Sequence, residues 1–460
     1  MRSHLPIALA LFLILAITAF GKMADYYCAL PEIETSELKI FEEMPPIERR
    51  VAVISCLREY SRSSQRDFLA ELNRYKSENL ATDIKPLWIA NTVRFRADSA
   101  AAASLQTAFP EARIIRSIPR KAALFEPPET AVPPPGDSIS WSLEKIGAPR
   151  IWSEYGLDGS GVLVAIIDSG VDFGAPDLLG GIWSNPAEIP DNGLDDDGNG
   201  YVDDYHGYDF VEDDPWPHDG RGHGTHVSGI VGGRGGGGMG TGVAPGCNIL
   251  PLRILDSGGS GEEADGWEAV QYALEAGARV MNLSVGWRYS SSPDRATWRS
   301  VIENACAVGA VMCIAGGNEG DLYGAPDNLR TPGDVPRAIT VGATDINDSL
   351  ASFSSLGPVS WEGVDGYGDY PYPPGLIKPD VSAPGDSVGS CELGGTYGYW
   401  DGTSMASPQV AGASALILQG FPDLTHDSVK ALLESTAVDY GPAGKDSAYG
   451  SGRIDLVDLF

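Results

Sequence analysis

A carboxylate, a hydroxyl and an imidazole stand in three short glycine-bearing stretches of this 460-residue chain: Asp168 in AIIDSG, His223 in the GHGTHVSG stretch from Gly222 to Gly229, and Ser404 in the GTSMASP stretch from Gly402 to Pro408. Hydrolysing a peptide at neutral pH needs a nucleophile, a base to take its proton and an anion that holds the base in its working tautomer, and these three residue types supply them. A fourth stretch, AGGNEG from Ala315 to Gly320, contributes Asn318. Its side-chain amide is an uncharged donor suited to a tetrahedral oxyanion. Taken singly, a serine between threonine and methionine reads as a helix cap and a histidine after glycine as a satisfied core residue. Their joint occurrence is what points to catalysis.

A different chemistry is written in the run DNGLDDDGNGYVDD, from Asp191 to Asp204. Asp195, Asp197 and Asn199 followed by Gly200 match the first half of a D-x-D-x-N-G loop, whose hard oxygens suit calcium. His206 stands where a closing bidentate glutamate belongs, so either Asp203 or Asp204 completes the site. The alternative is a solvated acidic turn without an ion. Asp195, Asp197, Asn199 and Asp203 are the expected ligands.

The elements that must position these groups are set by hydrophobic patterning. From about Trp141 onward, unbroken apolar runs end at Asp168, Leu255, Val285 and Ala315, and helical stretches such as Glu263 to Ala276 and Thr297 to Val308 alternate with them. Such runs predict strands buried on both faces, hence an α/β fold with a doubly wound, mostly parallel sheet and helices on both faces. Ligands of such sheets bind beyond the carboxyl ends of the strands. Asp168 closes one of these strands, His223 opens a helix through Gly229 to Val231, and Ser404 begins a helix through Gln409 to Leu418. A serine at a helix start has the positive end of the dipole and free backbone donors beside it.

Ahead of this region, strand (Val51 to Leu57), helix (about Ser63 to Lys76), strand (Ile84 to Phe95), helix (Ser99 to Phe109) and strand (Ala112 to Ser117) predict a small α+β unit. A proline-rich stretch, Pro127 to Pro135, reads as an exposed linker open to proteolysis. The expected division is 1–24 leader, 25–126 α+β domain, 127–140 linker and 141–460 main domain.

The three motifs together resemble those of the subtilisin-like serine proteases, over roughly Trp141 to Phe460, and the order aspartate, histidine, serine agrees with that family. The resemblance implies a serine endopeptidase working through an acyl-enzyme, with Asp168 orienting the base, His223 as base, Ser404 as nucleophile, and Asn318 with the Ser404 amide as oxyanion hole. His226 is then structural. It also implies that substrate lies as an added strand along Ser284, Val285 and Gly286 and along the wall Ala315, Gly316 and Gly317. Arg330 either falls near the floor of the first side-chain pocket, favouring acidic side chains, or is an ordinary exposed arginine. Gln409 departs from the family, which usually has histidine there, but takes no part in proton transfer. The 25–126 segment resembles the family's propeptide, a ferredoxin-like chaperone and intramolecular inhibitor of the active site, with self-processing expected near Pro127 to Ser138. A catalytically silent binding protein of the same fold is the rival reading; it predicts that one of the four residues is missing, and all four are present.

Composition narrows the remaining choices. The net charge of −31 repels phosphate backbones and anionic lipid heads, which excludes nucleic acid as an expected partner. The segment from Arg49 to Lys121 is arginine-rich and the chain beyond it is acidic, so the halves are suited to attract each other. Leu5 to Phe20 is an apolar run preceded by Arg2 and His4, the layout of a secretory signal cleaved near Ala19 to Ala24, or else of a retained membrane anchor. The product is expected to be secreted, with no stable span after cleavage. Six cysteines are too few for a disulfide scaffold, and Cys306 and Cys313 read as packed small hydrophobes.

Overall fold

In a computed structural model, which describes residues 23–33, 35–122, 124, 138–322 and 328–460, the apolar runs pair side by side. The expected leader core and the proline-rich stretch Pro127 to Pro135 lie outside the described residues. Contacts divide the chain into two units: residues 1–33 with 56–118, and residues 34–55 with 119–460.

In the first unit, β1 (Ala24–Ala29) is central, flanked by β3 (Thr92–Ala97) and β4 (Arg113–Arg116), and β2 (Ala81–Leu87) forms the other edge, in the order β2-β3-β1-β4. Every pairing is antiparallel. Two helices accompany the sheet, α1 (Pro46–Ser77), which continues back into the second unit, and α2 (Ser99–Ala108), capped by Asp98, whose Oδ1 accepts the N–H groups of Ala100 and Ala101. The core includes Cys28, Phe68, Leu72, Val93, Phe95 and Leu105. Val51 to Leu57 is helical, not a strand: from Leu57 the buried positions Ser61, Gln65, Phe68, Leu72 and Tyr75 recur every three or four residues, and that longer period overrides a short β-branched run. The stretch Ile84 to Phe95 is likewise a hairpin, not one strand. It breaks at Asn91, which adopts φ 46° while its side-chain amide donates to the Pro31 carbonyl.

In the second unit a seven-stranded sheet runs in the order β13-β12-β11-β10-β6-β8-β7, comprising β6 (Leu163–Asp168), β7 (Tyr208–Asp209), β8 (Asn248–Arg253), β10 (Val280–Leu283), β11 (Val311–Ala315), β12 (Ile339–Thr344) and β13 (Val381–Pro384). All its pairings are parallel. The strands β10, β11, β12 and β13 are buried at every position, as patterning without alternation requires. Helices α3 (His223–Gly232), α4 (Glu263–Glu275), α5 (Arg295–Val308), α6 (Thr403–Gly420) and α7 (His426–Thr436) surround it, α3 packing on α6 and α4 on α5. The fold is thus the doubly wound α/β sheet expected. Two short strands stand apart: β5 (Arg120–Lys121) pairs antiparallel with β9 (Ser260–Gly261).

Cys28, Cys247, Cys306, Cys313 and Cys391 are buried free thiols. Burial pushes the thiols of Cys306 and Cys313 up to about 12, which keeps them neutral and unreactive. No helix among the described residues is long and apolar enough to cross a membrane.

Candidate active site

The strand β6 ends on Asp168, fully buried, whose Oδ1 accepts the Ser169 N–H at 2.7 Å and lies 2.7 Å from His223 Nδ1. That bond assigns the neutral imidazole a proton on Nδ1 and leaves Nε2 as the basic nitrogen. His223 is the first residue of α3, following Gly222 at φ 94°. The helix reaches the Asp168 loop because Gly224 has no side chain: a Cβ there stands 2.2 Å from the Gly170 carbonyl oxygen.

Ser404 is the second residue of α6, so its N–H is among those without an intrahelical acceptor. Its carbonyl is freed too, because Pro408, four residues on, has no N–H to donate. Ser284 Oγ takes that place, donating to the Ser404 carbonyl at 2.8 Å, while Ser404 Oγ donates to the Ser284 carbonyl at 3.0 Å. This double clasp ties the N-terminus of α6 to the end of β10. In this state the Ser404 hydroxyl is bonded to Ser284 and His223 Nε2 is buried without a partner.

Asn318 follows β11. Its Oδ1 accepts both the N–H of Thr403 and the hydroxyl of Thr403, each at 2.9 Å, and Thr403 Oγ1 in turn accepts the Gly317 N–H at 3.0 Å. With its oxygen so occupied, the amide presents Nδ2, which is buried and unpartnered. Two buried polar atoms are thus left over: His223 Nε2, whose ring lies 5.8 Å from that of Trp400, and Asn318 Nδ2, whose amide is held on Thr403 at the start of α6. Buried polar atoms are usually partnered, so an unpartnered one marks a place where substrate, ion or water can bind.

The wall residues Ala315 and Gly316 are buried, and Arg330 packs beneath them: Cβ atoms placed on Gly286 and Gly317 come within 2.9 Å and 3.0 Å of its side chain. Arg330 is buried, not exposed, and its guanidinium is committed to Glu319 by bonds of 2.8 Å and 2.6 Å. Burial raises the Glu319 pKa, but Arg330 and Arg288 outweigh it and hold the carboxyl below its usual range. His226 is fully buried against Trp400, its Nε2 3.1 Å from the Gly398 carbonyl, and burial lowers its pKa to about 3. Gln409 is also fully buried, with neither amide atom partnered.

The acidic loop is arranged differently from the sequence expectation. Asp195 folds back on the backbone N–H groups of Gly198, Asn199 and Gly200, and Asp203 accepts those of Asn192 and Gly193. The oxygens that converge belong to Asp197, Asp204 and Glu188, within 4.8 Å of one another, with Asn199 donating to Asp204 at 2.8 Å. Asp204 and Glu188 are buried, and burial together with the neighbouring carboxylates raises both pKa values. Glu188 Oε2 has no partner. A hard divalent cation fits this set: three carboxylates, one buried oxygen unsatisfied, and mutual repulsion that an ion relieves. Glu188 is invisible to motif reading because it lies outside the acidic run that forms the loop.

Asp168 at a strand end is bonded to His223 at a helix start, and Ser404 begins a second helix, which are the residue types a nucleophilic hydrolase needs. The subtilase family model matches residues 159–452. The chain is 34% identical over 321 residues to subtilisin from Bacillus pumilus, covering 69% of this chain and 98% of that protein. Subtilisin NAT of Bacillus subtilis subsp. natto is also 34% identical over 321 residues, covering 69% and 70%. Bacillopeptidase F of Bacillus subtilis (strain 168) is 31% identical over 441 residues, 89% of this chain but only 28% of that much longer protein. The chain belongs to the subtilase family and is a serine-type endopeptidase.

Proposed function

We propose that Asp168, His223 and Ser404 form the catalytic triad of a self-processing, secreted endopeptidase. The observation that carries this is the 2.7 Å bond between Asp168 and His223 Nδ1, which leaves His223 Nε2 buried and unpartnered, as is Asn318 Nδ2, whose amide is held on Thr403, the neighbour of Ser404. In the proposed cycle the Ser404 hydroxyl leaves the Ser284 carbonyl by rotation about its Cα–Cβ bond and gives its proton to His223 Nε2 as Oγ attacks the scissile carbonyl. Asp168 stabilises the resulting imidazolium without taking its proton. Asn318 Nδ2 and the Ser404 N–H receive the developing oxyanion, and His223 returns the proton to the leaving amine, giving an acyl-enzyme that water resolves by the reverse route. Ser284, Val285 and Gly286, with Ala315, Gly316 and Gly317, form the two rims between which the substrate main chain lies.

The segment Pro119–Ala122 supports an inhibited precursor. The strand β5 adds antiparallel to β9, Ala122 N–H donates to the Gly259 carbonyl at 2.9 Å, and Trp287, next to the Gly286 rim, donates its indole N–H to the Arg120 carbonyl at 3.4 Å. A chain so placed occupies the path of a substrate, and cleavage C-terminal to Ala122, nearer than the proline-rich stretch, releases it. Calcium at Glu188, Asp197 and Asp204 stabilises the loop in this reading, and the Arg2 to Phe20 segment directs export. The test compares the purified precursor with its Ser404→Ala variant. The wild type cleaves casein and itself, the variant neither; an uncut wild type, or a variant that still processes, defeats the reading.

A further inference from the structure

Side chains alternate along β5: Arg120 turns inward, Lys121 is exposed and Ala122 is buried. The Arg120 guanidinium bonds to Glu263, an acid whose own side chain is 2% exposed. Glu263 is held ready for this. Its Oε1 accepts the Asp294 backbone N–H at 3.0 Å and the Trp298 indole N–H at 2.9 Å, which leaves Oε2 for the guanidinium. Trp298 is fully buried between Trp267 and Trp287, ring centroids 6.1 Å and 5.7 Å away, so the carboxylate is held against a wall of packed aromatic rings. A buried carboxylate without a cation is costly, and the cation that meets this one comes from β5.

Position along the strand ties this acid to the chemistry. From Arg120 to Ala122 the chain passes from opposite Gly261 to beside Gly259, and a Cβ on Gly259 meets the Arg221 side chain at 3.3 Å, two residues before His223. The segment thus passes the guanidinium of Arg221. On its other flank is Trp287, three residues after Ser284, which clasps Ser404.

We propose that Glu263 is a specificity-determining residue: it selects peptides that carry arginine at the position of Arg120, followed two residues later by a small side chain at that of Ala122, and that are cut C-terminal to it. This rests on the proposed peptidase mechanism and on Pro119–Ala122 lying in the substrate path. Arginine suits the site better than lysine because its planar fork reaches a fixed carboxylate oxygen with pre-set donors.

The experiment uses the processed enzyme and decapeptides copying Pro119–Pro128, with the Arg120 position varied to lysine, norleucine, glutamine and glutamate, cleavage being read by mass spectrometry. The arginine peptide is cut about ten- to a hundredfold faster in kcat/KM than the norleucine peptide, and glutamate is worst, as expected for one charge-assisted bond to a buried acid. Glu263→Gln, which keeps an oxygen for Asp294 and Trp298, brings the arginine and norleucine rates to within about threefold of each other. Equal rates across the wild-type series overturn the proposal, whether or not the variant folds, as does a glutamine variant that keeps the preference. The two readings separate cleanly: flat selectivity in an enzyme whose Ser404 reacts with a phosphonate removes only the role of Glu263, whereas no cleavage and no phosphonate adduct remove the peptidase mechanism and this inference with it.

Discussion

Thr403→Val is the most informative single change, because Thr403 touches no reacting atom in the proposed mechanism and acts through Asn318. Its hydroxyl donates to Asn318 Oδ1 at 2.9 Å and accepts the Gly317 N–H at 3.0 Å. Valine keeps the branched shape but leaves the Gly317 N–H buried and unpartnered, a loss of about 1–3 kcal/mol in stability. Asn318 retains only the Thr403 N–H, so its amide is held less firmly. Losing one of two orienting bonds is worth about 1 kcal/mol in the transition state, or roughly fivefold in kcat. The ceiling is set by Asn318→Ala, for which loss of a whole oxyanion donor costs about a hundred- to a thousandfold. KM should stay unchanged in both, since the donor acts on charge that develops only during reaction. The assay is initial-rate kinetics on a chromogenic peptide for wild type, Thr403→Val, Asn318→Ala and the double variant, with Thr403→Ser as the conservative control. Serine should restore kcat, and in the Asn318→Ala background valine should have no further effect. A valine penalty of equal size with and without Asn318 refutes the idea that Thr403 positions the amide.

Three further outcomes are expected from the same geometry. Removing calcium with a chelator at neutral pH should lower Tm by about 5–10 °C relative to calcium at a hundredfold over its Kd, and Glu188→Gln should abolish most of that difference; an unchanged transition contradicts the acidic site. Burial holds His226 at about 3, against about 6.5 when unfolded, so its contribution to stability is complete above pH 6.5 and is lost as pH falls toward 3. Between pH 6.5 and 4.5 that amounts to about 2–3 kcal/mol, measured by urea unfolding as the difference in pH slope between wild type and His226→Gln, and identical slopes contradict it. Gly224→Ala, whose Cβ meets the Gly170 carbonyl at 2.2 Å, should lower both Tm and kcat by moving α3 off the Asp168 loop, and a variant with wild-type values for both contradicts the close approach.

How much of this is legible in the sequence depends on how local each signal is. Asp168, His223, Asn318 and Ser404 each sit in a short glycine-bearing stretch at a strand end or helix start, so residue type and context reinforce each other, and the structure places them at those ends. The parallel sheet is legible because β10 to β13 are buried throughout and carry no alternation. Non-local features are not. Glu188 joins Asp197 and Asp204 only through the loop's fold, while Asp195 and Asp203 spend their oxygens on nearby backbone N–H groups. Arg330 reads equally as a pocket-floor or a surface residue until Glu319 is seen beside it, and nothing near Glu263 in sequence announces Arg120. Val51 to Leu57 has the composition of a strand and the structure of a helix, because a β-branched run is a weaker signal than the helical period of the residues after it.

The most direct measurement is the mass-spectrometric location of a serine-directed phosphonate adduct on the processed enzyme. A single adduct on Ser404 is expected, formed by the wild type and by Glu263→Gln and lost in His223→Ala. An adduct on another residue, or one that forms equally well without the imidazole, contradicts the assignment of His223 and Ser404 as base and nucleophile.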